Sequence, residues 1–177
     1  MIEKIKTKAA ELLLKNRLAK LERRVHAKGF REAKNVAILY HYDPETEKLV
    51  RDFAHFLKDE RLKTDTLAYV SNKEYYDMVK PELSYAYFNK KQLNWLHTPT
   101  EKQCIDFMNK EYDIVIDLTI RSHYPLRYLL SLSKAHFKVG AAIAFRNDIC
   151  DLTIDISKQK ELPYLITQLK HYLNLIN

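Results

Sequence analysis

The stretch NVAILYHYDPETEKLVRDFAHFLKDERLKTDTLAYV, residues 35–70, decides the fold. Its hydrophobic period changes twice. Residues 35–42 form an apolar run of strand length. Leu49, Val50, Phe53, Ala54 and Leu57 then recur at helical spacing, and 64–70 read again as a strand. Asp43 stands where a helix cap is expected, Pro44 at the first helical position, and Glu45 and Glu47 where carboxylates suit the N-terminal dipole. A strand, a helix and a strand over this length imply a right-handed crossover between parallel neighbours.

The alternation continues to the end of the chain. Strands are expected at 84–88, 112–119, 137–145 and 151–156. Helices are expected around 73–79 and over 98–111, 124–136 and 161–177. The helix at 98–111 opens with a capping-box pattern from Thr98 to Glu101. The fold class is therefore α/β: a single Rossmann-like, mostly parallel sheet with helices on both faces, in strand order 3-2-1-4-5-6.

In front of it, residues 1–34 are expected to form a basic amphipathic helical arm, leaving 35–177 as the Rossmann-like domain. Leu14, Leu18, Leu21 and Val25 share one face of a helix expected over 2–28, with Gly29 as its C-cap. The arm holds eleven Lys and Arg against four Glu, an excess of seven that equals the formal net charge of the whole chain, +7. The remaining residues sum to zero. A cluster of this kind makes a local field that dispersed charges do not. It points to a polyanionic partner, RNA or a ribonucleoprotein such as the ribosome. The cations offered are Lys4, Lys8, Lys15, Arg17, Lys20, Arg23, Arg24, Lys28 and Arg31. An anionic membrane surface is a second partner class, and helix pairing with another protein a third. Aromatic residues are missing before Phe30, so phosphate contact is favoured over base stacking or membrane insertion.

Composition excludes several classes. The chain has two glycines, Gly29 and Gly140, and neither GxGxxG nor GxxxxGK[ST], so a standard dinucleotide fold or P-loop is not expected. Asp43, Pro44 and Glu45 also occupy the helix start where a phosphate would sit. Cys104 and Cys150 are isolated from one another and from His clusters, which reads as reduced thiols in a cytoplasmic protein without a metal or cofactor. Apolar runs stay well short of the roughly 20 residues a membrane span needs.

The segment YDIVIDLTIRSHYPLRYLLSLSKAHFKVGAA (112–142) resembles the N-terminal domain of heptosyltransferase-like glycosyltransferases. The glycine turn and second nucleotide-sugar domain of those enzymes have no counterpart here. The whole chain is similar to a family of short Bacteroidetes proteins that share a basic N-terminal helix, FNKKQLNWL (88–96) and DLT…HYPLRYL (117–130). That resemblance implies a cytoplasmic location and brings no activity and no catalytic residues.

In a doubly wound sheet, ligands bind beyond the strand ends where the order reverses, here between strands one and four. The polar residues expected there are His41, Asp117, Arg121 and His123, with Asn147 across from them. Such a group suits acid–base chemistry or anion binding by a small enzyme or ligand-binding domain. The alternative is that Asp117 bonds the next loop while Ser122 and His123 help cap a helix. Trp95, between Asn94 and Leu96, is expected to anchor in the core, with a binding surface as the other reading.

Overall fold

The structure is a computed structural model that describes residues 2–143 and 148–176. Six parallel strands run in the order β3-β2-β1-β4-β5-β6. They are β1 (Asn35–His41), β2 (Lys63–Val70), β3 (Tyr85–Asn89), β4 (Ile114–Asp117), β5 (Phe137–Ala141) and β6 (Leu152–Ile154). The helices are α1 (Ile2–Leu18), α2 (Glu47–Asp59), α3 (Lys73–Met78), α4 (Lys102–Asn109), α5 (Tyr124–Leu132) and α6 (Leu162–Leu175).

Strand alternation sorts the core into two layers. Val36, Ile38 and Tyr40 of β1 face Val50, Phe53 and Leu57 of α2 and Leu165 and Leu169 of α6. Ala37 and Leu39 face Cys104 and Phe107 of α4 and Leu126, Leu129 and Leu130 of α5. β1 and β4 are buried on both sides, as an interior parallel strand must be. The sheet order and the αβ alternation match the sequence reading. Element starts shift: Asp43 and Thr46 make a turn and α2 begins at Glu47, while α4 begins at Lys102 without a capping bond from Thr98.

The N-terminal helix is shorter than its sequence period implied. It ends at Leu18: Ala10 and Leu14 are the buried side chains of α1 among the described residues, and Leu14 packs against Tyr128 and Leu132 of α5. A short amphipathic helix depends on such packing, and Leu18 and Val25 face solvent. Glu11 pairs with Arg127, and the Tyr124 hydroxyl donates to Ala10 O at 3.0 Å. Arg17 donates to the Tyr128 hydroxyl.

Residues 19–34 then run along the end of the sheet where the strands begin. Arg23 Nε donates to Ala135 O at 2.6 Å, and its guanidinium pairs with Asp151. His26 N donates to His136 O and Phe30 N to Leu173 O, each at 3.0 Å. Gly29 is required for this path rather than for a helix cap. A Cβ there would lie 2.6 Å from Leu173 O and closer still to Ile176 O. Phe30 and Ala33 enter the core of the α2/α6 layer. Lys138, buried on β5, donates from Nζ to Ser131 O at 2.8 Å in the last turn of α5, and burial, then the neighbouring Arg23, pushes its pKa down to about 7.

Candidate functional site

β1 and β4 are hydrogen-bonded neighbours, and their C-terminal ends open into a crevice of about 270 Å³. Its walls include His41, Arg121 and His123, together with Tyr40, Asp43, Thr46, Thr119 and Leu162. Three of the expected residues therefore meet. Asp117 does not line the crevice. It is fully buried, and its Oδ1 accepts hydrogen bonds from Thr119 N at 2.9 Å and Thr119 Oγ1 at 2.7 Å, which turns the chain out of β4. Asn147 lies outside the described residues, as does Arg146.

The two histidines are stacked. Their ring centroids are 4.1 Å apart with an interplanar angle of 4°. His41 ends β1, and its Nε2 lies 2.9 Å from Ser71 Oγ, just past β2. His123 occupies the N-cap position of α5 but makes no capping bond with its side chain. Tyr69 packs at a tilt against both rings. Burial, and then the neighbouring His123, pushes the His41 pKa down to about 4, while Asp43 opposes this. At neutral pH His41 is therefore an uncharged imidazole whose Ser71 contact orients the ring.

Tyr40 forms part of the crevice wall, and among the described residues its buried hydroxyl closes no hydrogen bond. Burial first, then Glu47, raises its pKa, so it remains a phenol. Glu47 is held by Arg51 Nε at 3.0 Å, and Arg51 also reaches Glu82 at 3.1 Å and the Tyr87 hydroxyl at 3.3 Å. Ser71, Tyr40 and Tyr69 were not singled out from the sequence. Ser71 was the one open to inference, since the strand-end logic applied to β1 and β4 extends equally to β2.

The basic arm divides into two sets. Arg17, Arg23 and Lys28 are engaged with the body, Lys28 through Asp113. Lys4, Lys8, Lys15, Lys20, Arg24 and Arg31 are exposed. At 100° per residue, Lys4, Lys8 and Lys15 fall within about 40° of one line along α1, on an exposed flank next to Glu11, which pairs with Arg127 of α5. Ile5 and Leu12 lie beside them and are about 60% exposed. Trp95 is also exposed, at 66%, which corrects the expectation of a core anchor. Its loop is closed by local bonds instead: Asn94 Oδ1 accepts from Leu96 N and Thr98 N, and Leu96 and Thr98 supply the buried side chains.

Cys104 is buried and its thiol is pushed up to about 12, by burial and then by Glu101, so it is an inert core residue. Among the described residues, no group of three His, Cys, Asp or Glu is arranged to hold a metal, and no helix is long and apolar enough to cross a membrane.

No curated protein and no solved structure matches the chain. A family match covers α1 from Lys6 onward, all six strands and α6: the chain belongs to a family of unknown function, DUF6913, over residues 6–176.

Proposed function

We propose that this protein is a non-enzymatic cytoplasmic docking protein that binds a polyanion, RNA or a ribonucleoprotein surface, through the outward face of α1. The observation that carries the reading is the row Lys4, Lys8 and Lys15, held on a helix that Glu11, Arg127, Tyr124 and Leu14 fix against α5. A fixed row of ammonium groups meets phosphates without the ordering entropy that a free tail loses. The contact set is smaller than the sequence suggested, because Arg17, Arg23 and Lys28 are engaged with the body.

Counterion release gives the test. Full-length protein should bind structured RNA with an affinity that falls steeply as salt rises. Replacing Lys4, Lys8 and Lys15 together by Gln should flatten the slope of log K against log salt by about 2 to 3, since each lost phosphate contact removes about 0.9. RNA binding with an unchanged slope in the triple variant would sink the reading.

One observation favours a second reading. Ile5 and Leu12 are exposed on the same side as the lysines, and phosphates have no use for them. They suit an acidic protein partner with an apolar groove. Leu12→Ser separates the two: it leaves RNA binding intact under the first reading and abolishes partner binding under the second.

A further inference from the structure

The crevice is independent of the lysine row on α1, and its chemistry points elsewhere. Among its polar walls, Arg121 brings a guanidinium, and it is exposed at the mouth. Next to it α5 begins. Its first turn contains no acidic residue, and the side chain of His123 at the cap position makes no capping bond. Deeper in, His41 is held by Ser71 and stacked on His123, and Tyr40 forms part of the wall. Donors and a cation thus border an open volume.

We propose that the crevice between β1 and β4 is a binding site for a small oxyanion, a carboxylate or a phosphate monoester, held by Arg121 and the start of α5 with the stacked pair His41 and His123 against its side. The α2 side of the crevice does not serve the anion. Asp43, Glu45 and Glu47 already place carboxylates there, with Asp43 Oδ1 accepting from Glu45 N at 2.9 Å. That asymmetry fixes where the charged end of the ligand lies. Size narrows the class further. About 270 Å³ falls below the range of about 300–1,000 Å³ usual for drug-sized ligands, so a dinucleotide does not fit. Neither does the site offer the glycine-rich backbone that cradles a diphosphate.

The stack explains why histidine stands at both positions. The two rings in face contact keep the wall flat and polar, and burial together with the neighbouring His123 disfavours a charge on His41. An anion seated beside them is recognised by hydrogen bonding, and the fixed charge comes from Arg121.

The test uses the full chain and the ring signals of its histidines in proton–nitrogen correlation spectra. Inorganic phosphate and acetate are titrated separately into the millimolar range, with sodium chloride holding ionic strength constant. Saturable shifts of His41 and His123 with either probe support the site; a response to phosphate alone assigns a phosphoryl ligand, and a response to acetate alone assigns a carboxylate. Arg121→Ala should weaken that binding at least tenfold, and His123→Gln should weaken it while leaving the spectrum of a folded protein. The Lys4, Lys8 and Lys15 triple Gln variant should bind the probes as the wild type does. If neither probe gives a saturable shift, or if Arg121→Ala binds as well as wild type, the crevice is not an oxyanion site, whatever becomes of RNA binding by α1.

Discussion

Where the strands begin, Asp113 accepts from Lys28 Nζ, from Lys34 N at 2.8 Å and from Asn35 N at 3.1 Å, and Arg23 bridges two carbonyls and Asp151. Where the strands finish, His41 meets Ser71, His123 and Tyr69, Arg121 is exposed, and α2, α5 and α6 start without a side-chain cap. The same sheet thus carries a sealed end and an open end. Residues 19–34 are the seal. They have no regular structure of their own, yet they satisfy polar groups at the start of β1, β4 and β5 and put Phe30 into the core. Polar side chains at the sealed end bond to one another and to the backbone, whereas at the open end several face the crevice for which an oxyanion is proposed.

The largest effect that follows concerns the arm, cut at two places. Removing residues 1–18 loses the packing of Leu14 on Tyr128 and Leu132, worth about 2 kcal/mol. Removing residues 1–34 also takes away Phe30, Ala33, the Lys28 partner of Asp113 and the Arg23 bridge. That loss should reach about 4 kcal/mol or more, enough to lower Tm by about 10 °C at this chain length, or to prevent folding. Thermal unfolding followed by circular dichroism compares the two truncations. Equal melting temperatures would break the distinction between a seal and a helix that merely rests on α5.

How much of this was legible beforehand differs between the two ends. The strand and helix alternation followed from hydrophobic periods and prolines, and the β1-to-β4 adjacency from giving that alternation the common doubly wound order 3-2-1-4-5-6. That adjacency brought His41, Arg121 and His123 to one crevice. The seal was not legible. Leu14, Leu18, Leu21 and Val25 keep helical spacing, but the chain leaves the helix after Leu18 to make bonds with β5 and α6, which are distant in sequence. Local pattern carries no record of such partners. Asp117 shows the same gap on a smaller scale. It sits at a strand end like any ligand-binding carboxylate, and only the geometry reveals that Thr119 takes both donors to it. Trp95 is a third case: its neighbours Leu96 and Thr98 are the buried ones, and a backbone turn at His97, with φ of 58°, decides which side chains point inward.

A medium effect tests the sealed end by pH. Burial alone would raise the Asp113 pKa, but the Lys28 ammonium and the Lys34 and Asn35 amides outweigh it and hold the carboxyl below its ordinary value. A carboxyl depressed in the folded state contributes stability above its unfolded pKa, near about 4, and that stability is lost as pH falls through the folded value. Asp113→Asn should therefore cost about 2 kcal/mol at pH 7. The gap to wild type should close below about pH 4, because the wild-type carboxyl is then protonated as well. Chemical denaturation across that range measures both. A deficit that persists unchanged into acid would mean that the variant fails through packing, and that Asp113 is not an electrostatic clasp.

The smallest effect belongs to the open end. Arg121→Ala removes an exposed side chain at the mouth of the crevice, next to a helix start that it does not cap. A surface substitution away from packing, caps and buried pairs stays within about 0.5 kcal/mol. Relief of a cation close to the positive end of α5 even offsets part of any lost packing. So Arg121→Ala should unfold at the wild-type denaturant midpoint with an unchanged slope, in contrast to Asp113→Asn at the other end of the same sheet. A loss comparable to the Asp113 variant would show that Arg121 holds the loop between β4 and α5 in place, and the open end would then be a second seal rather than a place kept for a ligand.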